Sequence, residues 1–118
     1  MRKIYLAIPY TGMEQSSYEQ VTSATAQIIN SYELNVFSPI THSHPLTKYG
    51  VKGTWDYWQR IDFQFIDWCD EVWVMIPKEG VDRVKNSIGV QSEIEYATNL
   101  GKPVKYIKIQ TTVQEYNI

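Results

Sequence analysis

Glu71-Val72-Trp73-Val74-Met75-Ile76, followed after a polar loop by Ser87-Ile88-Gly89-Val90-Gln91-Ser92-Glu93, is the stretch that decides the reading of this chain. The first run is dense in apolar and β-branched residues and reads as a strand. The second reads as a small-residue turn opening a helix, with Glu93 expected in the first turn. The loop between them carries Lys78, Glu79, Asp82, Arg83 and Lys85. A strand, a turn and a helix in that order form the repeating unit of an α/β fold.

Working outward, Ile4 to Ile8 is a nearly continuous apolar run ended by Pro9, a strand buried on both faces. Beyond the polar loop Tyr10 to Gln15, Ser16 or Ser17 suits the cap of a helix reaching about Tyr32, with Val21, Ala24, Ile28 and Ile29 at helical spacing. Asn35 to Ser38 is a short second strand stopped by Pro39. Ile40 to Gly53, which holds Pro45 and both histidines, reads as a long loop of the kind that often carries function. Thr54 to about Trp68 is a second main helix whose Trp55, Trp58, Ile61, Phe65 and Trp68 form a stripe. A helix from about Gly89 to Leu100 ends at Gly101, a residue suited to a left-handed C′ position. Pro103 to Ile109 is a fourth strand, and the tail from Gln110 finishes as an edge strand or a docked terminus.

The order β-α-β-α-β-α-β implies parallel strands joined by right-handed crossovers, a Rossmann-like three-layer α/β/α sandwich with a small parallel sheet. Ligand sites in such sheets lie beyond the carboxyl ends of the strands, which here gathers Pro9 to Gly12, Pro39 to His44 and Ile76 to Ser87. A length of 118 residues suits one domain with one core.

The net charge of −2 supplies no electrostatic footprint for duplex nucleic acid or an anionic membrane, although a small nucleotide can still bind through local donors. Cys69 is the only cysteine, so it is expected as a core residue in a reducing, cytoplasmic setting. The apolar start, Ile4 to Ile8, is too short for a secretory or membrane-spanning segment. Aromatic residues reach 14%, a high share of which part is core and part suits a pocket or a subunit interface.

Neither a dinucleotide-binding glycine pattern nor an ATP-cradling loop is present. His42 and His44 would face one side of an extended segment, but there is no third histidine and no extra cysteine, so loop structure or hydrogen bonding to a substrate suits them better than metal. Glu93 near a helix start is expected to be ionised, because the macrodipole and free N–H groups favour its charge. An ionised, positioned carboxylate is what a glycosidic-bond enzyme uses as nucleophile; it is also ordinary helix chemistry. Asp62, flanked by Ile61 and Phe63, sits uncomfortably for a charge if its face is buried, and otherwise points to solvent or pairs with a base. Trp55, Trp58 and Gln59 on the same helix offer a stacking surface and an amide for a nucleobase.

These residues carry a resemblance. The opening Lys3 to Tyr10 is similar to the first strand and loop of the nucleoside 2-deoxyribosyltransferase superfamily. Ser87 to Glu93 resembles the serine–apolar–Gly–Val–x–x–Glu signature of its 2′-deoxynucleoside 5′-phosphate N-hydrolases. Phe37 to Pro45, with Trp55 to Gln59, is similar to short phage and bacterial proteins of unassigned function. The resemblance spans about residues 3 to 107. It implies Glu93 as nucleophile, Asp62 beside the base and sugar, Tyr10 orienting Glu93, and Ser87 with Gly89 holding the 5′ end. Ala7, Ile8, Pro9, His42, His44 and Trp58 would complete the substrate pocket.

The expected activity is hydrolysis or transfer at the N-glycosidic bond of a nucleotide or nucleoside, with no cofactor and no metal. The expected assembly is a homodimer or higher homo-oligomer. The alternative is a non-catalytic nucleotide-binding protein that sequesters or senses a nucleotide-derived signal, a phage anti-defence role included. The resemblance departs in the first loop. The phosphate-binding enzymes carry a glycine and an arginine there, where this chain has Ile8 and Thr11, which leaves Lys78, Arg83 or Lys85 as the available cations.

Overall fold

A computed structural model describes residues 1–118. Five strands form one sheet in the order β2-β1-β3-β4-β5. They are β1 (Arg2–Ala7), β2 (Leu34–Phe37), β3 (Glu71–Met75), β4 (Val104–Ile109) and β5 (Val113–Tyr116). The first four pair in parallel, and β5 closes the edge antiparallel to β4. The expected α/β sandwich is therefore present, with the tail as an edge strand.

The strand alternation sorts the core into two layers. On one face of the sheet Ile4, Leu6, Trp73 and Met75 pack with Val21, Ala24 and Ile28 of α1 (Glu14–Ser31). On the other, Tyr5, Ala7, Val72 and Val74 pack with Ile66 of α3 (Trp55–Trp68) and with Val90 and Ala97 of α5 (Ile88–Asn99). The α1 stripe runs as expected except at Ile29, which is 51% exposed. α1 also begins earlier than Ser16. Ser17 is fully buried and donates to the Pro9 carbonyl at 2.5 Å, tying the helix to the loop after β1 instead of capping it.

Two segments expected as loops are helical. Ser38 accepts from the Thr41 N–H and Pro39 occupies the first helical turn, which nucleates α2 (Pro39–Ser43), and a 3₁₀ helix follows over His44–Tyr49. The stop signal of Pro39 ends a strand and starts a helix at once. Likewise α4 (Val81–Asn86) occupies the charged segment after β3, anchored by the buried Val84. The end of α3 is capped by Lys102, whose Nζ donates to the carbonyls of Ile66, Asp67 and Cys69, each at 2.7 Å. Gly101 adopts φ +76°, the left-handed C′ conformation expected for it after α5. No helix is long and apolar enough to cross a membrane.

Candidate active site

The chain leaves β1 through α1 to β2 on one side and returns through α3 to β3 on the other. The sheet thus has its switch point between β1 and β3, where a crevice opens beyond the carboxyl ends of both strands. A cavity of about 560 Å³ lies there. Ala7, Ile8, Pro9 and Tyr10 line it from the end of β1, and Ser87, Gly89 and Glu93 from α5. Trp55, Trp58 and Asp62 reach it from α3, and His44 from the 3₁₀ helix.

The geometry of α5 follows from its cap. Ser87 accepts from the Val90 N–H at 3.1 Å, so the helix begins at Ile88. Glu93 therefore lies in the second turn and not the first, out of reach of the free N–H groups. Its carboxylate is buried, and burial pushes its pKa up to about 8. The expectation that helix-start N–H groups keep it ionised is overturned: desolvation outweighs the dipole, which fades within one turn.

Asp62 is buried as well, at the centre of the α3 face that packs against the sheet. Burial pushes its pKa up to about 7. The stripe of α3 is centred on Asp62 and Ile66, with the aromatics only partly buried to either side. An acid in the middle of a buried face is costly unless partnered, and here its charge and that of Glu93 raise each other's cost. Two such groups titrate as a unit near neutrality.

The group that holds Glu93 is Tyr5. Its side chain is fully buried, and its hydroxyl donates to Glu93 Oε2 and favours the ionised carboxylate. Burial and the two acids push the Tyr5 pKa well up, so it keeps the proton it donates. Tyr10 does not orient Glu93. It lies beyond Pro9 at the cavity mouth, where its hydroxyl pairs with His44 Nδ1 at 2.7 Å. The sequence signal for Tyr5 was its place, a hydroxyl inside a doubly buried strand that must find a partner.

His42 does not join the cavity. The segment is helical and not extended, so residues two apart point to different sides. His42 is exposed and lies 6.1 Å from the Phe37 ring, while His44 turns inward. Gln59 does not line the cavity either, whereas Trp55 does, with its ring 3.7 Å from where a side chain at Gly89 would begin. Of the three cations considered, only Arg83 reaches the cavity, beside Asn86 and Ser87.

The chain matches over residues 2–109 a family model described as a domain of unknown function, DUF1937. No curated protein matches it. Among solved structures it is similar to a 2-deoxyribosyltransferase from the psychrotolerant bacterium Bacillus psychrosaccharolyticus. The TM-score is 0.64 at 25% identity, over 98% of this chain and 77% of that one. With this fold, and with the family model covering most of its length, the chain belongs to the DUF1937 family, a nucleoside 2-deoxyribosyltransferase-like family.

Proposed function

We propose that the protein breaks the N-glycosidic bond of a nucleotide or deoxynucleoside and passes the sugar to water or to a second base, with Glu93 as nucleophile. The observation that carries this reading is the convergence of two buried carboxylates, Asp62 and Glu93, in one cavity, with the Tyr5 hydroxyl donating to Glu93. Similarity to a 2-deoxyribosyltransferase supports nucleoside glycosyl transfer as the general class.

In the reacting complex the pair holds one proton. Reaction uses the form with the charge on Glu93, where the Tyr5 hydroxyl steadies it, and the proton on Asp62. With the Glu93 pKa at about 8 and that of Asp62 at about 7, this is the minor of the two one-proton forms, in fast exchange with the other. A Glu93 oxygen bonds to the anomeric carbon as the carbon–nitrogen bond breaks. The electron pair of that bond stays on the base nitrogen, which takes the Asp62 proton. Water then attacks the same carbon, gives its proton to Asp62 and frees Glu93; a second base in place of water makes the reaction a transfer. The half-buried Trp55 and Trp58 supply apolar surface for a base. Arg83, next to Ser87, suits an anionic 5′ end. The exposed Tyr49, Val51, Tyr57 and Ile88 suit burial in a homodimer.

The burial that raises both acids also favours a second reading, a nucleotide-binding protein whose carboxylates stay protonated and do not react. Chromatographic detection of free base over a panel of nucleotides and deoxynucleosides separates the two. Base release by the wild type that disappears in Glu93→Gln supports the enzyme. Tight binding with no release from any member of the panel supports the binder.

A further inference from the structure

Four side chains are joined end to end at the cavity mouth, and the direction of each hydrogen bond follows from the one before it. Gln15 Nε2 donates to Glu19 Oε1 at 3.0 Å. A carboxylate oxygen accepts, so this contact settles which end of the amide is nitrogen. Gln15 Oε1 then faces His44 Nε2 at 3.1 Å. An amide oxygen can only accept, so Nε2 carries a proton, and the tautomer with its one proton there has the lone pair on Nδ1. In that tautomer the Tyr10 hydroxyl, 2.7 Å from Nδ1, donates there. The histidine ring is clamped in this orientation by Tyr18, stacked at 4.7 Å and 27°, and by Tyr10 edge-on at 78°.

The proton of Tyr10 is thus committed away from the cavity that the residue lines. Burial and the nearby Glu14 carboxylate push the Tyr10 pKa up, so the group is a neutral hydroxyl and not a phenolate. Toward the ligand it offers lone pairs only. We propose that Tyr10, polarised by the Glu19–Gln15–His44 chain, is a specificity residue that selects ligands presenting an O–H or N–H donor at the cavity mouth and discriminates against those presenting an acceptor or nothing. The inference rests on reading the cavity as a nucleoside site. The donor chemistry has two sources in such a ligand, a sugar hydroxyl or the exocyclic amine of the base. Tyr10 is part-buried, and an acceptor that the bound ligand desolvates without giving it a donor weakens binding by about tenfold or more. A site built around one hydrogen bond rejects the analogue that lacks it.

The test has two arms on the full-length protein. The first reads the tautomer directly, from the side-chain ¹⁵N shifts of His44 assigned against His44→Asn. A protonated Nε2 with a bare Nδ1 is expected, and a proton on Nδ1 overturns the inference whatever the protein does. The second compares kcat/KM and Kd for 2′-deoxyadenosine, 2′,3′-dideoxyadenosine, 2′,5′-dideoxyadenosine and the 2′-deoxyriboside of unsubstituted purine. One deletion should cost the wild type tenfold or more, and the identity of that probe names the source. In Tyr10→Phe the same deletion should cost less than twofold. His44→Leu, which frees the hydroxyl proton, should also lose the discrimination, and His44→Asn, whose amide oxygen can accept from Tyr10, should restore part of it. Equal ratios for all four probes in the wild type and Tyr10→Phe would overturn the inference. If the wild type binds none of the probes, the glycosidic reading has failed, and the tautomer alone decides the polarity assigned to Tyr10.

Discussion

Replacing Glu93 with Gln should make the protein more stable, and increasingly so as the pH rises. A carboxylate ordinarily near 4.5 is pushed by burial to about 8 in the folded chain. The folded state therefore holds a proton that the unfolded state releases, and stability falls as pH rises from about 4.5 to 8. At ~1.4 kcal/mol per pH unit, ionising Glu93 inside the fold costs on the order of 5 kcal/mol once the pH exceeds 8, and nothing below 4. The amide of Gln still accepts from Tyr5 and never ionises, so it escapes that cost. For a domain of this size each kcal/mol moves the Tm by about 4 °C. Thermal melts of the two proteins should then nearly coincide at pH 4.5 and separate by roughly 10–20 °C at pH 8.5. Groups remote from the pair, including Glu71 with its Arg2 and Lys105 partners, are common to both proteins and cancel in the difference. Asp62 is relieved of the Glu93 charge, which adds to the difference in the same direction. An equal Tm difference at the two pH values would mean that Glu93 ionises without cost and would rule this prediction out.

Tyr5→Phe removes the hydrogen bond that favours the charged form of Glu93. The acid limb of the rate profile should move to higher pH, with a rate loss of tenfold or more at pH 7 that shrinks by pH 9. Asp62→Asn should slow ordinary nucleosides far more than one carrying an activated base that leaves unprotonated; equal losses would make Asp62 a sugar-orienting group. Gly53→Ala should raise KM about tenfold with little change in Tm, read from steady-state kinetics and melts. A side chain there would begin inside contact distance of Trp58 Nε1 and push the indole from the cavity wall. Lys102→Met should lower stability by about 2 kcal/mol in urea titrations, since three carbonyls at the end of α3 lose their donor.

The parts of the fold legible in the sequence were those with an unbroken period. β1 and β3 declared themselves as apolar runs, α1 as a stripe and Gly101 as a helix stop. α3 was legible as a helix, but its most buried positions are Asp62 and Ile66 and not the aromatic stripe. The two short helices α2 and α4 were hidden because Pro39 and the charged run 78–85 read as breakers, while the capping by Ser38 and the burial of Val84 depend on neighbours distant in sequence. Residues of the segment from Ser87 to Glu93 do line the cavity, but the spacing assigned Glu93 to the wrong turn. Counting from the cap puts Glu93 one turn further in, and its pKa is then set by burial and by Tyr5, which sequence spacing cannot reveal. The orientation of His42 and His44 failed for the same reason, since it depends on whether the backbone is extended or helical.

The proposed reaction passes through a covalent bond between Glu93 and the sugar. A nucleoside bearing an arabino-configured 2′-fluorine and an activated base slows breakdown of such an intermediate by disfavouring positive charge at the anomeric carbon, so the adduct accumulates. Mass spectrometry of the quenched protein should then find one fluorosugar per chain, attached to the peptide containing Glu93 and missing from Glu93→Gln. Release of free base by the wild type with no adduct, or with an adduct on another residue, would contradict the account.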